Sequence, residues 1–216
     1  MNITQHFPML VDGIQYTLQI TFAAFLIGLL LAIPISALRR SRLLPLRALG
    51  VGYVELLRAI PPLPWLFLVF FGLPEFGITM DPVEAGIVVF GLISAAYLSE
   101  IYQSGFRAVP TGQTEAGEAL GLSRTVIYLR VLIPQAVRTM IPLAIAYLIG
   151  LLKDSAVASV IGVQDISALA VVENQRTGQG LEVFISAAVL YLALSVPVAV
   201  AGRWLSHRLE PVKARA

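Results

Sequence analysis

The chain has no cysteine, only two histidines and little charge: 13% of its 216 residues are Asp, Glu, Lys or Arg, against 57% that are hydrophobic. Without cysteine there is no disulfide framework, no thiol nucleophile and no Cys-ligated metal. Two histidines argue against a His-rich metal site. The scarcity of charge, with a mean hydropathy of +0.83, leaves too little polar surface for a water-soluble globule, so the principal solvent is lipid. Also missing is any G-x-x-x-x-G-K-[ST] run, which excludes a P-loop phosphate cradle on this chain. No long linker, low-complexity run or internal repeat interrupts the sequence, and 1–216 reads as a single transmembrane domain.

What the sequence does have is long apolar runs. Five of them can cross a hydrocarbon core, which takes about 20 helical residues: Gly13–Leu38, Gly52–Leu73, Val83–Phe106, Thr139–Gly162 and Val183–Leu205. The expected fold is an all-α polytopic membrane protein with five transmembrane helices. The first run is expected to remain as a span rather than be cleaved, because Met1–Val11 carries no basic n-region and the apolar stretch outlasts a signal h-region.

Lys and Arg placement orients the spans. The first connection holds Arg39, Arg40, Arg42 and Arg47; the third holds Arg107, Arg124, Arg130 and Arg138; the tail holds Arg208, Lys213 and Arg215. These face the cytoplasm in this reading. The second connection has Glu75 and Asp81 and no base, and the fourth has Asp165, Glu173 and Glu182 against Arg176; these face outward. The N-terminus is then outside and the C-terminus inside.

The third connection, about 108–138, is long for a compact domain, a sign of function. It reads as two short helices. Glu115 and Glu118 sit near the start of the first, where acidic groups suit the helix dipole. The run ends at Gly121, a C′ glycine with Leu122 placed for the accompanying apolar contact, and Ser123 can cap the second helix. Pro134 and Pro142 then kink or reset the chain as it re-enters the membrane. An inert αα-hairpin or a DNA-binding helix-turn-helix would share this outline, but a DNA reader needs a basic footprint, which Glu115 and Glu118 oppose; no nucleic-acid partner is expected.

The run Gly112-Gln-Thr-Glu-Ala-Gly-Glu-Ala-Leu-Gly-Leu122, followed by Leu132-Ile-Pro-Gln-Ala-Val-Arg138, closely resembles the EAA loop of ABC importer permeases. Glu55-Leu-Leu-Arg-Ala-Ile-Pro61, Ala96-Tyr-Leu-Ser-Glu-Ile101 and Leu152-Lys-Asp-Ser-Ala-Val157 resemble the polar amino acid subfamily, which includes histidine, glutamine and arginine permeases. Two departures stand out. Gly117 replaces a second Ala, and Gln103-Ser104 replaces an Arg that many relatives carry, so any role of that cation is expected to be missing.

The resemblance implies a MetI-like permease core in the bacterial inner membrane, with a cytoplasmic coupling helix on which Glu115, Ala116, Gly117, Ala119 and Gly121 dock onto an ATPase. It also implies an ATP-binding subunit dimer that carries ATP and Mg, no cofactor on this chain itself, a second permease subunit in a homo- or heterodimer, and a periplasmic or lipid-anchored solute-binding protein. The substrate would be a polar amino acid.

Ionisable residues inside the spans are costly and mark pathways or partners. Glu100 lies well inside the third span, with Tyr97 and Ser104 on its helical face. Lys153, Asp154 and Ser155 fall together in the fourth, and Thr17, Gln19 and Thr21 add milder polarity in the first. Glu100 is expected to meet a cationic group of the substrate, assisted by Tyr97 and Ser155, and the acidic lining with Asp154 leans toward basic amino acids. The competing reading makes Glu100 the partner of a neighbouring helix and Lys153–Asp154 a structural ion pair. Glu55 and Arg58, three apart, are expected to pair structurally before Pro61, Pro62 and Pro64 bend the chain.

In the fourth connection Ile166, Leu169, Ala170 and Glu173 recur at helical spacing and predict a short amphipathic helix, either touching a binding protein or lying on the membrane interface. Trp65 and Trp204 read as packing and interfacial anchors. An ion-gradient-driven transporter subunit and a non-transporting membrane scaffold are the alternatives; the first would work without an ATPase, and the second leaves the intramembrane carboxylates unexplained.

Overall fold

The computed structural model describes residues 3–209, which contain helices and turns and no strand. Lys213 and Arg215, counted above in the basic tail, lie outside the described residues. In hydrocarbon each backbone N–H and C=O must be satisfied within the protein, and the helix does this inside a single segment. Four long helices are apolar enough to span: α2 (Ile14–Arg39), α5 (Pro82–Arg107), the run Arg124–Ile161 containing α7 (Arg124–Val126) and α8 (Ile133–Asp154), and α10 (Gly180–Leu209). The fifth span is broken. α3 (Leu44–Ala59) and the segment Pro62–Phe76, which begins with α4 (Pro62–Phe67), meet at a 104° bend. The expected Gly52–Leu73 helix therefore starts earlier and does not run straight. The cause is local: a residue before proline is driven out of the helical region, and Ile60 before Pro61 and Pro61 before Pro62 both have extended ψ, 129° and 155°.

The spans pack through small residues, as expected where lipid removes the hydrophobic drive and close approach must supply the attraction. The main seam joins α2 to α5: Gly28 of α2 lies against Ser94 and Leu98 of α5, and Gly91 of α5 leaves room for Ile27 of α2. A Cβ on Gly28 would lie 2.4 Å from Ser94 Cβ. Tyr102 on α5 fastens the seam by donating to the Leu29 carbonyl at 3.0 Å. α8 packs on α5 through Gly105, whose absent Cβ leaves room for Met140, and Ser94 and Tyr147 share a 2.9 Å hydrogen bond across the pair. The seams converge on a core that includes Ile20, Val54, Leu66, Phe90, Ile93 and Leu151.

The long connection differs from expectation in one respect. α6 (Gly112–Ala119) is a separate short helix, closed by Gly121 at φ 69°. Leu122 N–H reaches the Gly117 carbonyl and Gly121 N–H the Glu118 carbonyl, at 3.1 and 2.9 Å, the paired bonds of a Schellman motif. Ser123 caps the next helix, accepting from Val126 N–H at 3.4 Å. That helix is not a second short one. It widens into a π-type turn over Ile127–Leu132 and continues as α8. Pro134 lacks the N–H that would answer Arg130, and the widened turn absorbs the defect without ending the helix.

At the acidic end of the bundle a cap forms from the N-terminal turn with α1 (Phe7–Val11), α9 (Ile166–Thr177) and the start of α10. Leu10, Ile166, Ala170, Val183 and Ala187 bury one another. The short helix is present but not amphipathic: the face with Ile166, Ala170 and Glu173 packs inside its own chain, and Val171 and Val172 are exposed. Glu173, on that face, is buried; Arg176 and then His6 hydrogen-bond to its carboxylate and hold its pKa below the ordinary range. The Nδ1 of His6 is 2.9 Å from Glu173 Oε1. Asp165 caps α9, accepting from Ala168 N–H at 2.8 Å and from the Tyr191 hydroxyl at 3.2 Å. Burial nevertheless pushes its pKa from 3.8 up to about 6.

Two outcomes follow. Gly28→Ala forces α2 off α5 and is expected to cost about 1–3 kcal/mol, read as a lowered thermal-unfolding midpoint in detergent, whereas Gly52→Ala, with nothing within 4 Å, leaves the midpoint unmoved or raised. A carboxyl with an elevated folded-state pKa binds its proton more tightly when folded, so its contribution to stability is lost as pH rises from about 4 to about 6 and then stays flat. Asp165→Asn keeps the cap and removes the ionisation, so it should flatten that window and raise stability at neutral pH by about 2–3 kcal/mol; an unchanged pH profile of unfolding would refute this.

Candidate functional site

The bend in the second span opens a cavity of about 400 Å³. Its walls come from three elements: Leu57–Pro62 at the break, Phe90, Ile93 and Tyr97 on α5, and Tyr147, Leu151, Asp154 and Val157 on α8 and the tight turn after it. The sequence makes this opening necessary. Proline has no N–H, so Pro61, Pro62 and Pro64 cannot answer the last carbonyls of α3, and backbone left unpaired at membrane depth is tolerated where it lines a cavity.

Three features give the cavity its chemistry. Tyr97 and Tyr147 stack at 5.2 Å between centroids and 20° between planes, forming a flat aromatic wall. Arg58 lays its guanidinium 5.1 Å from the centre of the Tyr97 ring. Asp154 lines the same cavity from α8. The walls therefore present one cation, one anion and aromatic faces. Such a set suits a small zwitterion: a guanidinium for a carboxylate, a carboxylate for an ammonium, and ring faces for the remainder.

Several residues chosen from the sequence stand elsewhere. Glu100 is not in the cavity wall. It lies at the centre of three arginines, bonded by Arg39 Nη2, with Arg58 Nη1 at 3.7 Å and Arg107 Nη2 at 3.5 Å. Arg39 also donates to Ser99 Oγ at 2.9 Å. The expectation that Glu100 meets a cationic group of the substrate finds no support in this arrangement, which instead fits the competing reading of a partner to neighbouring helices, with its charge already more than balanced by protein cations. Gln103 supplies no cation, and Arg107, one turn further along the same helix, reaches the carboxylate. Ser104 belongs to this cluster, accepting from Arg107 at 3.4 Å. Ser155 is buried against α2, donating to the Leu152 carbonyl at 2.9 Å and lying 3.5 Å from Thr21 Oγ1.

The Glu55–Arg58 pair does not form: Glu55 is exposed, and the carboxylate beside Arg58 is that of Glu100. Lys153 and Asp154 diverge. Lys153 lines a separate apolar groove between α8 and α10 with Tyr191 and Ser195, and Asp154 faces the cavity. The lean toward basic substrates loses its ground, because the lining carries one charge of each sign. Sequence reasoning missed Arg39, Arg107 and Tyr147. Arg39 and Arg107 sit at helix ends, where the sequence marks them as interfacial, and Tyr147 is one aromatic among many.

α6 projects at the arginine-rich end of the bundle. Glu115, Ala116, Ala119 and Gly121 are exposed there, and Leu120 is 78% exposed. Gly117 turns inward instead, where a Cβ would lie 2.8 Å from Ile127 Cγ1. The glycine that departs from the resembled motif is thus what seats α6 against the next helix. Among the described residues no group of three His, Asp or Glu side chains is placed to hold a metal ion.

Comparison with known proteins gives a consistent answer. A family model described as binding-protein-dependent transport system inner membrane component matches residues 12–211. The L-cystine transport system permease protein TcyB of Bacillus subtilis is 34% identical over 96% of this chain and 89% of its own length. The arginine transport system permease protein ArtQ of the same organism is 33% identical over 94% of this chain and 93% of its own. Among solved structures, one described as an amino acid ABC transporter with histidines superposes with a TM-score of 0.89 at 30% identity, covering 96% of this chain and 97% of that one. The inward-facing MetNI methionine ABC transporter, at 23% identity and a TM-score of 0.79, shares the fold. By sequence across nearly its whole length, and by a fold of four continuous spans and one broken span, this chain belongs to the binding-protein-dependent transport system inner membrane components, the permease subunits of ABC importers.

Proposed function

We propose that this chain is the translocating subunit of an ATP-driven importer of polar amino acids, acting as one permease domain in the bacterial inner membrane. The observation that carries the reading is the cavity at the broken span, which offers Arg58 and Asp154 across an aromatic wall. In this assignment the substrate's carboxylate is taken by Arg58 and its ammonium by Asp154, with Tyr97 and Tyr147 against the side chain. The relatives named for cystine and arginine transport support an amino acid as cargo. Glu100 keeps a different role. It holds Arg39, Arg58 and Arg107 in place, and so sets the position of the guanidinium that reaches the cavity.

The arginine-rich end faces the cytoplasm on the positive-inside rule, which places the N-terminus outside and the C-terminus within. α6 then docks through Glu115, Ala116 and Ala119, with Gly121 ending the helix, onto an ATP-binding subunit dimer that carries ATP and Mg. Its closure rocks the spans between inward and outward access. Five helices do not enclose a pathway alone, so a second permease subunit completes it. A solute-binding protein delivers cargo to the acidic cap.

Reconstitution of the chain with its ATPase and binding protein tests the reading directly. Uptake of labelled amino acids should require ATP and every subunit; uptake driven by an ion gradient without the ATPase would overturn it. Asp154→Asn removes one charge-assisted contact of about 1.5–3 kcal/mol, so the KM for translocation should rise by about tenfold or more while assembly is retained. An unaltered KM would remove Asp154 from the site.

A further inference from the structure

The chain segment that carries α6 is tied to the Glu100 cluster by a short mechanical path, and the tie runs through two consecutive arginines at the end of α2. α6 is seated on Ile127 through Gly117 and cross-linked to α8 by a 3.1 Å hydrogen bond from Gln135 Nε2 to Gln113 Oε1. Ile127 opens the π-type turn, and the next residue, Tyr128, stacks on Phe106 of α5 at 5.3 Å and 23°. Arg40 closes the assembly. Its guanidinium carbon is 4.6 Å from the centre of the Phe106 ring, and its Nη1 donates to the Tyr128 hydroxyl at 3.0 Å. Arg39, its neighbour in sequence, turns the other way into the bundle, is 10% exposed, and bonds Glu100 and Ser99.

We infer that the Arg40–Phe106–Tyr128 stack is the joint through which movement of the α6 segment reaches the Arg39–Glu100 cluster, and through it Arg58 in the cavity wall. The inference rests on the importer reading given above and adds the positioning residues that transmit within it. A rigid tether alone could only brace the bundle. This joint has room to move, because an apolar recess of about 390 Å³ lined by Ile33, Tyr102, Phe106, Tyr128 and Met140 lies beside the rings. Displacing Tyr128 into it pulls on Arg40, and a shift of the last turn of α2 cannot move Arg40 without moving Arg39. Coupling is carried by packed elements with two discrete arrangements, and the recess is the second seat that the proposal assigns to the Tyr128 ring.

The test uses the reconstituted complex and compares amino acid taken up per ATP hydrolysed. Arg40→Gln and Tyr128→Ala should lower that ratio by about fivefold or more, within the ordinary range of coupling, with ATPase activity in the absence of substrate and co-purification of the subunits unchanged. Tyr128→Phe keeps the ring and loses the hydroxyl contact, so it should fall between these and the wild type. Should Tyr128→Ala fail to assemble, Arg40→Gln, at an exposed position, and Tyr128→Phe decide the matter. An unaltered ratio in those two overturns the joint and leaves the importer reading standing. Absence of ATP-driven uptake in the wild-type complex removes both.

Discussion

Hydrocarbon offers no hydrogen bonds, and this constraint shapes each level of the molecule. It makes helices the only economical form for the apolar runs. It removes the hydrophobic drive between those helices, so they associate where backbones can approach closely, and the α2–α5 seam accordingly has Gly28 against Ser94 and Gly91 against Ile27. Two threonine hydroxyls of α2 turn back on their own helix: Thr17 donates to the Gly13 carbonyl and Thr21 to that of Thr17. Among the described residues, the bend at Pro61 and Pro62 borders one of the cavities of the bundle, in keeping with the rule that interrupted backbone at membrane depth lines a polar space. The fold and the site are thus two consequences of one solvent.

Charge inside the bundle is handled in two ways. Around Glu100 it is over-balanced, three guanidiniums to one carboxylate, and most of that cluster belongs to helix ends. At the cavity it is balanced across open space, with Arg58 and Asp154 on different elements. Arg58 takes part in both, since its side chain spans from the Glu100 carboxylate to the Tyr97 ring. A single residue therefore links the electrostatic anchor of the bundle with the wall of the cavity, and any rearrangement of the anchor is felt in the cavity.

Much of the architecture was legible in the sequence because its signals are local. Apolar length located the spans to within a few residues for α2 and α5. Gly121 and Ser123 marked the end of one helix and the start of the next, since left-handed C′ positions and side-chain caps are decided by one or two residues. The proline cluster announced a bend, though not its size. The site was less legible because its members meet only in three dimensions. Glu100 and Asp154 drew attention as intramembrane acids, yet nothing in the chain tells which of them meets an arginine. Glu55 and Arg58 have pairing distance along a helix, but α3 ends at Arg58's own turn and its side chain reaches α5 instead. Gly117 stood out in the sequence only as a departure from the resembled motif, whereas the facing Ile127 makes it a fit.

The arginine that reaches Glu100 from position 107 has a consequence for how such chains are compared. Helical geometry lets a cation be supplied from successive turns of one face, so the partner of a half-buried carboxylate such as Glu100 is defined as a place in space rather than as a position in the sequence. The carboxylate of Glu100 is met by guanidiniums from the ends of three helices, Arg39, Arg58 and Arg107, so its balance is set by neighbours in space and not by its own stretch of sequence. Tallying charge by spatial neighbourhood is the comparison that fits this bundle.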